Sequence, residues 1–193
     1  MVHSLPFIAF IVIAAFTPGP NNCMALSHAS RGLQKGVLFS AGVFMGMLIV
    51  MLLCGFLSGI LARTLAIATV FMKILGVAYM VWLAWNLWNS GDAPRDPICR
   101  GETLFWTGCV LQLVNPKLIA YGMTAFSTFI LPFYSDSAGI LRHAILLALV
   151  GFAGTLAWAF CGAALQTIFR HHPVAINRAL ASMVFCCALS LLA

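Results

Sequence analysis

Apolar runs cover most of this chain, and its polar residues fall in a few short clusters between them. The first run, Leu5 to Phe16, meets Thr17-Pro18-Gly19-Pro20-Asn21-Asn22, and a second apolar run follows. The stretch "SAGVFMGMLIVMLLCGFLSGIL" is apolar all round. It shows neither the two-residue alternation of a half-exposed strand nor the polar stripe of an amphipathic helix. A bilayer-spanning helix needs about 20 apolar residues. On that measure the pattern predicts six segments, at 5–29 (interrupted), 37–61, 65–88, 103–132 (interrupted), 140–168 and 174–193. In lipid such segments are helices, because every backbone group must be satisfied within the segment. The longest polar stretch, "NSGDAPRDPICRGET" at 89–103, divides three spans from three. The chain is thus expected to be a single transmembrane domain over 1–193, with one repeat at about 1–88, a linker at about 89–103 and a second repeat at about 104–193.

The two interruptions share a pattern. The first lies at Thr17 to Asn22 and the second at Asn115-Pro116-Lys117, about 97 residues later. In both, a side chain able to cap a helix, Thr17 or Asn115, precedes a proline, Pro18 or Pro116. That order predicts an N-cap followed by proline at the first helical position. Each half therefore reads as a helix that stops and restarts inside the membrane. Three spans per half is an odd number, so the second half crosses the bilayer inverted relative to the first. The expected fold is an all-α membrane protein of six transmembrane helices, built as two inverted three-helix repeats with helices 1 and 4 broken. Inverted repeats with matching broken helices are a secondary-transporter layout, with the site at the breaks. A restarting helix aims unpaired N–H groups and a partial positive charge at an anion such as a carboxylate. Unwound carbonyls nearby can accept from an ammonium group, so an amino-acid zwitterion suits such a site. The plainer alternative is a channel-like or scaffold membrane protein whose breaks are packing kinks. The candidate binding residues are Pro18, Gly19, Pro20, Asn21 and Asn22 at the first break, Asn115, Pro116 and Lys117 at the second, and Tyr79 deep in the third span.

Composition supports the membrane reading. Of 193 residues, 63% are hydrophobic and 7% charged, against about 25% charged in a soluble domain. The net charge of +6 then reports orientation, not nucleic-acid binding. Arg31, Lys35, Arg95, Arg100, Arg170 and Arg178 fall in the first, third and fifth loops, against Arg63, Arg142 and Lys73 on the other side. This bias predicts cytoplasmic first, third and fifth loops, with both termini outside. Residues 1–4 have no basic character, and no cleaved signal peptide is expected. Seven cysteines lie mostly in apolar runs without metal-ligand spacing, and read as packing residues.

No phosphate-binding loop, zinc-protease motif or catalytic carboxylate pair is present, so an enzyme, a cofactor and a metal site are not expected. The four acids, Asp92, Asp96, Glu102 and Asp136, all fall in predicted loops. No carboxylate is then left within a span to carry a proton. Lys117, at the second break, is the prime intramembrane charge. Lys73 sits where a side chain can snorkel, His28 near the cytoplasmic interface, and Asp136 where a loop could fold back to the pore. Gly42/Gly46 and Gly55/Gly59 are small-residue pairs suited to close helix packing, or to a homodimer face.

"FTPGPNN" at 16–22, "KILGVAYMVWLAW" at 73–85, "VNPKLIAYG" at 114–122 and "FSTFILP" at 126–132 together resemble the LysE/RhtB family of amino-acid exporters, along nearly the whole chain. The resemblance implies efflux of small neutral amino acids, of the cysteine or O-acetylserine kind, across a bacterial inner membrane by proton antiport. It carries the family's Pro-Gly-Pro onto Pro18, Gly19 and Pro20, and its second break onto Asn115, Pro116 and Lys117.

Overall fold

The structure, a computed structural model, describes residues 5–89 and 101–190. The side chains of 58–73 and of scattered single positions, Tyr79 among them, fall outside that description, as does the linker stretch 90–100. No strand occurs among the described residues. Their helices are α1 (Leu5–Phe16), α2 (Pro20–Ala29), α3 (Leu33–Trp88), α4 (Gly101–Leu113), α5 (Pro116–Thr124), a π-helical turn (Ala125–Ile130), α6 (Ser137–Ala164), α7 (Gln166–His171) and α8 (Pro173–Ser190).

Two described segments, Leu33–Leu57 and Ser137–Ala164, are each long and apolar enough to cross a bilayer. The pair α1 and α2, bent by 49° at their break, makes a third span if the two are taken as one. The six separate spans expected from the pattern are therefore not what the described helices give by length and composition.

The first break stands where the sequence places it, but its cap does not. Gly19, not Thr17, is the N-cap of α2, extended at φ −166° and ψ 177°, with Pro20 at the start of the helix. The reason is steric, since a residue before proline is driven out of the α region. Thr17 and Gly19 both precede prolines, so the helix restarts only after the second one. Thr17 instead donates its hydroxyl back to the Ile13 carbonyl and ends α1. At the second break the expectation holds, because Asn115 Oδ1 accepts from Leu118 N at 3.3 Å and caps α5 directly before Pro116. Asp136 caps α6 by accepting from Gly139 N at 3.0 Å, which fixes it at a helix end. At the turn into α3, Gly32 adopts φ +140°, a conformation other residues resist.

The larger departure is α3. The pattern predicts spans at 37–61 and 65–88, yet the helix is continuous through 62–64. Ala62-Arg63-Thr64 contains no proline or glycine to stop it. Fifty-six residues in a straight helix would measure about 84 Å, far beyond a bilayer core. Its two ends nonetheless meet the same short neighbour. Gly36 lies against Ala29 of α2, while Met80, Leu83 and Ala84 cluster with Cys23 and Leu26 of α2. With both ends near the 10-residue α2, α3 is not a straight rod.

Glycines set the closest helix approaches. A Cβ on Gly42 would strike the Phe105 carbonyl, one on Gly46 the Cys109 carbonyl, and one on Gly108 the Phe39 carbonyl. The Gly42/Gly46 pair thus seats α4 on α3, with Gly108 answering from the opposite side. Along α6, Gly154 and Gly162 lie in the same way under the carbonyls of Ala15 and Leu26. The main core joins Phe7, Phe39, Met51, Phe126 and Leu147, and a second cluster joins Met80 and Leu83 to Leu180 and Val184 of α8. Large apolar side chains also face outwards, including Ile13 at 65% exposure and Trp85 at 66%. In water that surface would be an association hazard, and it fits contact with lipid.

Candidate binding site

The two breaks, far apart in sequence, meet across one cavity of about 60 Å³, room for roughly four to six waters. Six of the candidate residues line it, namely Gly19, Pro20, Asn21, Asn22, Asn115 and Lys117. Pro18 and Pro116 shape the breaks but do not line the cavity. Tyr79 belongs to α3, and its side chain lies outside the described residues.

Proline chemistry dictates the first wall. In an unbroken helix the carbonyls of Ala14 and Phe16 would accept from residues 18 and 20, but both are prolines without an N–H. Side chains from elsewhere supply donors to the carbonyls around the break. Asn22 Nδ2 donates to Ala15 O and Thr17 O, both at 3.0 Å. Trp158 Nε1 of α6 donates to Phe16 O at 3.2 Å. Cys187 Sγ of α8 donates to Pro18 O at 2.9 Å. Lys117 Nζ, from the second break, reaches Thr17 O at 3.4 Å. A break that exposed these groups to lipid would be costly, and this one is held by three neighbouring helices.

Asn22 therefore serves the chain's own backbone. Its Oδ1 also accepts from Thr155 Oγ1 of α6 at 3.3 Å. Asn21 pairs with Gln112 of α4 in both directions, donating to Oε1 at 2.7 Å and accepting from Nε2 at 3.1 Å. Gln112 is fully buried and braces the last turn of α4 against the first turn of α2. The pattern reading passed over Gln112 and Thr155. The signal was a lone amide and a lone hydroxyl inside apolar spans, where each needs an internal partner.

The electrostatics follow from the arrangement. The N-termini of α2 and α5 both begin at the cavity, and that of α2 carries no side-chain cap. Two helix starts bring partial positive charge to the same space. The Lys117 ammonium adds a full one, standing 3.2 Å from where a Cβ on Gly19 would be. No carboxylate is among the lining residues, and Lys117 and Tyr121 are the ones that titrate. The cavity is thus electropositive at the breaks, with Ala14, Met47 and Leu118 forming an apolar remainder. His28 packs its ring 5.2 Å from that of Phe39 and is not among the cavity lining.

A family model described as LysE type translocator matches residues 12–193. The chain is 39% identical over 183 residues to proteins named cysteine/O-acetylserine efflux protein from Escherichia coli O139:H28, Escherichia coli K12 and Shigella flexneri serotype 5b. Each alignment covers 94% of this chain and 93% of the relative. No solved structure matches the chain.

Proposed function

Starting from a chain that belongs to the LysE type translocator family, we propose that it is a bacterial inner-membrane exporter of small amino acids of the cysteine and O-acetylserine kind. The observation that carries this reading is the meeting of the two helix breaks across one electropositive cavity, with Lys117 of one break on the Thr17 carbonyl of the other. A zwitterion finds both its partners there. Its carboxylate faces the α2 and α5 N-termini and the Lys117 ammonium, and its ammonium faces the carbonyl of Ala14, which Pro18 leaves without its helical N–H.

The binding residues in this reading are Pro18, Gly19, Pro20, Asn21, Asn22, Asn115, Pro116 and Lys117, with Tyr79 of α3 as a further member. The prolines act by breaking the helices, and Asn21 and Asn22 by bracing them. Transport is proton antiport. Lys117 is the group that couples it, since no carboxylate lines the cavity. The chain works as a single domain of two inverted three-span halves in lipid, with both termini outside the cytoplasm. A homodimer is compatible with the apolar outer surface.

The test is a transport assay with purified protein in proteoliposomes, using a panel of labelled amino acids with and without an imposed pH gradient. Accumulation of small neutral amino acids against their gradient, driven by the proton gradient, is the expected result. Gradient-independent leak without amino-acid selectivity would instead favour a channel whose breaks are kinks.

A further inference from the structure

One polar group beside the cavity, the Tyr121 hydroxyl, bonds to neither break. Tyr121 lines the cavity on α5, four residues beyond Lys117 and so on the same helix face. Its ring is clamped in an aromatic column. It stacks on Phe10 at 5.4 Å and 22°, Phe10 stacks on Phe129 at 5.7 Å, and Phe129 touches Phe7 at 5.4 Å. Phe129 reaches this column from the π-helical turn, a local distortion of the kind found at functional sites. The ring is therefore fixed, yet its hydroxyl is buried with no hydrogen-bond partner among the described residues. An orphaned buried hydroxyl is costly, and a phenylalanine would fill the same stack without that cost.

We propose that the Tyr121 hydroxyl is the group that recognises the substrate's side chain and selects small amino acids bearing a polar atom at the γ position, such as a thiol or an ester oxygen. This rests on the export reading given above. The backbones of Lys117 and Tyr121 are about 6 Å apart along the helix axis, and both residues line the same cavity. With the carboxylate at Lys117 and the helix starts, the γ atom points towards the phenol. The oxygen is closed off from water in this conformation, so a polar atom delivered by the substrate is what satisfies it as the cavity opens. An apolar side chain of equal size leaves it orphaned, which is how a binding site rejects an isostere.

The experiment compares cysteine, kept reduced, with 2-aminobutyrate, which carries a methyl group in place of the thiol. Both are measured in proteoliposomes containing wild-type protein or Tyr121→Phe. The wild type should prefer cysteine by roughly three- to tenfold in kcat/KM. Tyr121→Phe should bring that ratio close to one while still transporting 2-aminobutyrate. A preference that survives in Tyr121→Phe overturns the inference and leaves the export reading standing, as does a wild type that transports both equally. A wild type that transports neither overturns both. The substitution keeps the aromatic stack, and competition between the two amino acids in wild-type vesicles gives a second measure of selectivity that depends on no variant.

Discussion

Replacing Asn22 with leucine tests the account of the first break most directly. Leucine matches asparagine in branching, though it is bulkier, and it can neither donate nor accept. The change removes the bonds to Ala15 O and Thr17 O at 3.0 Å and the bond from Thr155 at 3.3 Å. Hydrogen bonds inside membrane proteins contribute about 0.6 kcal/mol each on average. Three of them sum to about 2 kcal/mol. For a chain of this size that corresponds to a fall of roughly 4–8 °C in Tm. The assay is thermal unfolding in detergent, with Thr155→Val and the double variant measured alongside. Thr155→Val alone should cost a fraction of the asparagine change, because it leaves the Asn22 bonds to Ala15 O and Thr17 O in place. The double variant should cost less than the sum, since the two residues share a bond. Export should fall with the loss of the break's shape. A Tm within a degree of the wild type, or strict additivity in the cycle, would refute the claim that Asn22 holds the break open.

Three further outcomes are expected. Lys117→Met should leave a folded, inserted protein that no longer exports against a gradient in proteoliposomes, and undiminished pH-driven export would remove Lys117 from the coupling step. Asp136→Ala should cost about 1 kcal/mol through the lost α6 cap, seen as a small drop in Tm, with export retained; loss of export at an unchanged Tm would instead make Asp136 part of the transport path. Gly42→Val should abolish the α3–α4 seam, because its Cβ meets the Phe105 backbone carbonyl and no rotamer relieves that, and an unchanged elution profile and melting curve would show that the helices can part without cost.

The parts of the fold that local chemistry controls were legible. Proline placed both breaks, and Asn115 declared itself a cap because its partner, Leu118 N, is three residues away. The family was equally plain from "FTPGPNN" and "VNPKL". Where two local rules competed, the pattern misled. Thr17 has the right chemistry for a cap, but Pro20 forces Gly19 into that place. The expected break at 62–64 rested on span length alone, and no residue there enforces it. Gln112, Thr155 and Tyr121 were missed for a different reason. Their roles depend on partners brought close only by folding, as with Asn21, 91 positions from Gln112. The bonds of Asn22 to the Ala15 and Thr17 carbonyls were not legible for the same reason, because nothing local says which way its amide turns.

An intact helix keeps its backbone to itself, with every amide bonded four residues back. At Ala15 to Pro18 that privacy is given up, and the carbonyls are held by α2, α5, α6 and α8. The geometry of the first break is therefore not its own property. It is set jointly by the helices around it, so a displacement of any of them is registered at the cavity wall as a carbonyl losing or changing its donor. Two prolines have made this short segment a junction through which the surrounding helices report their positions to one another.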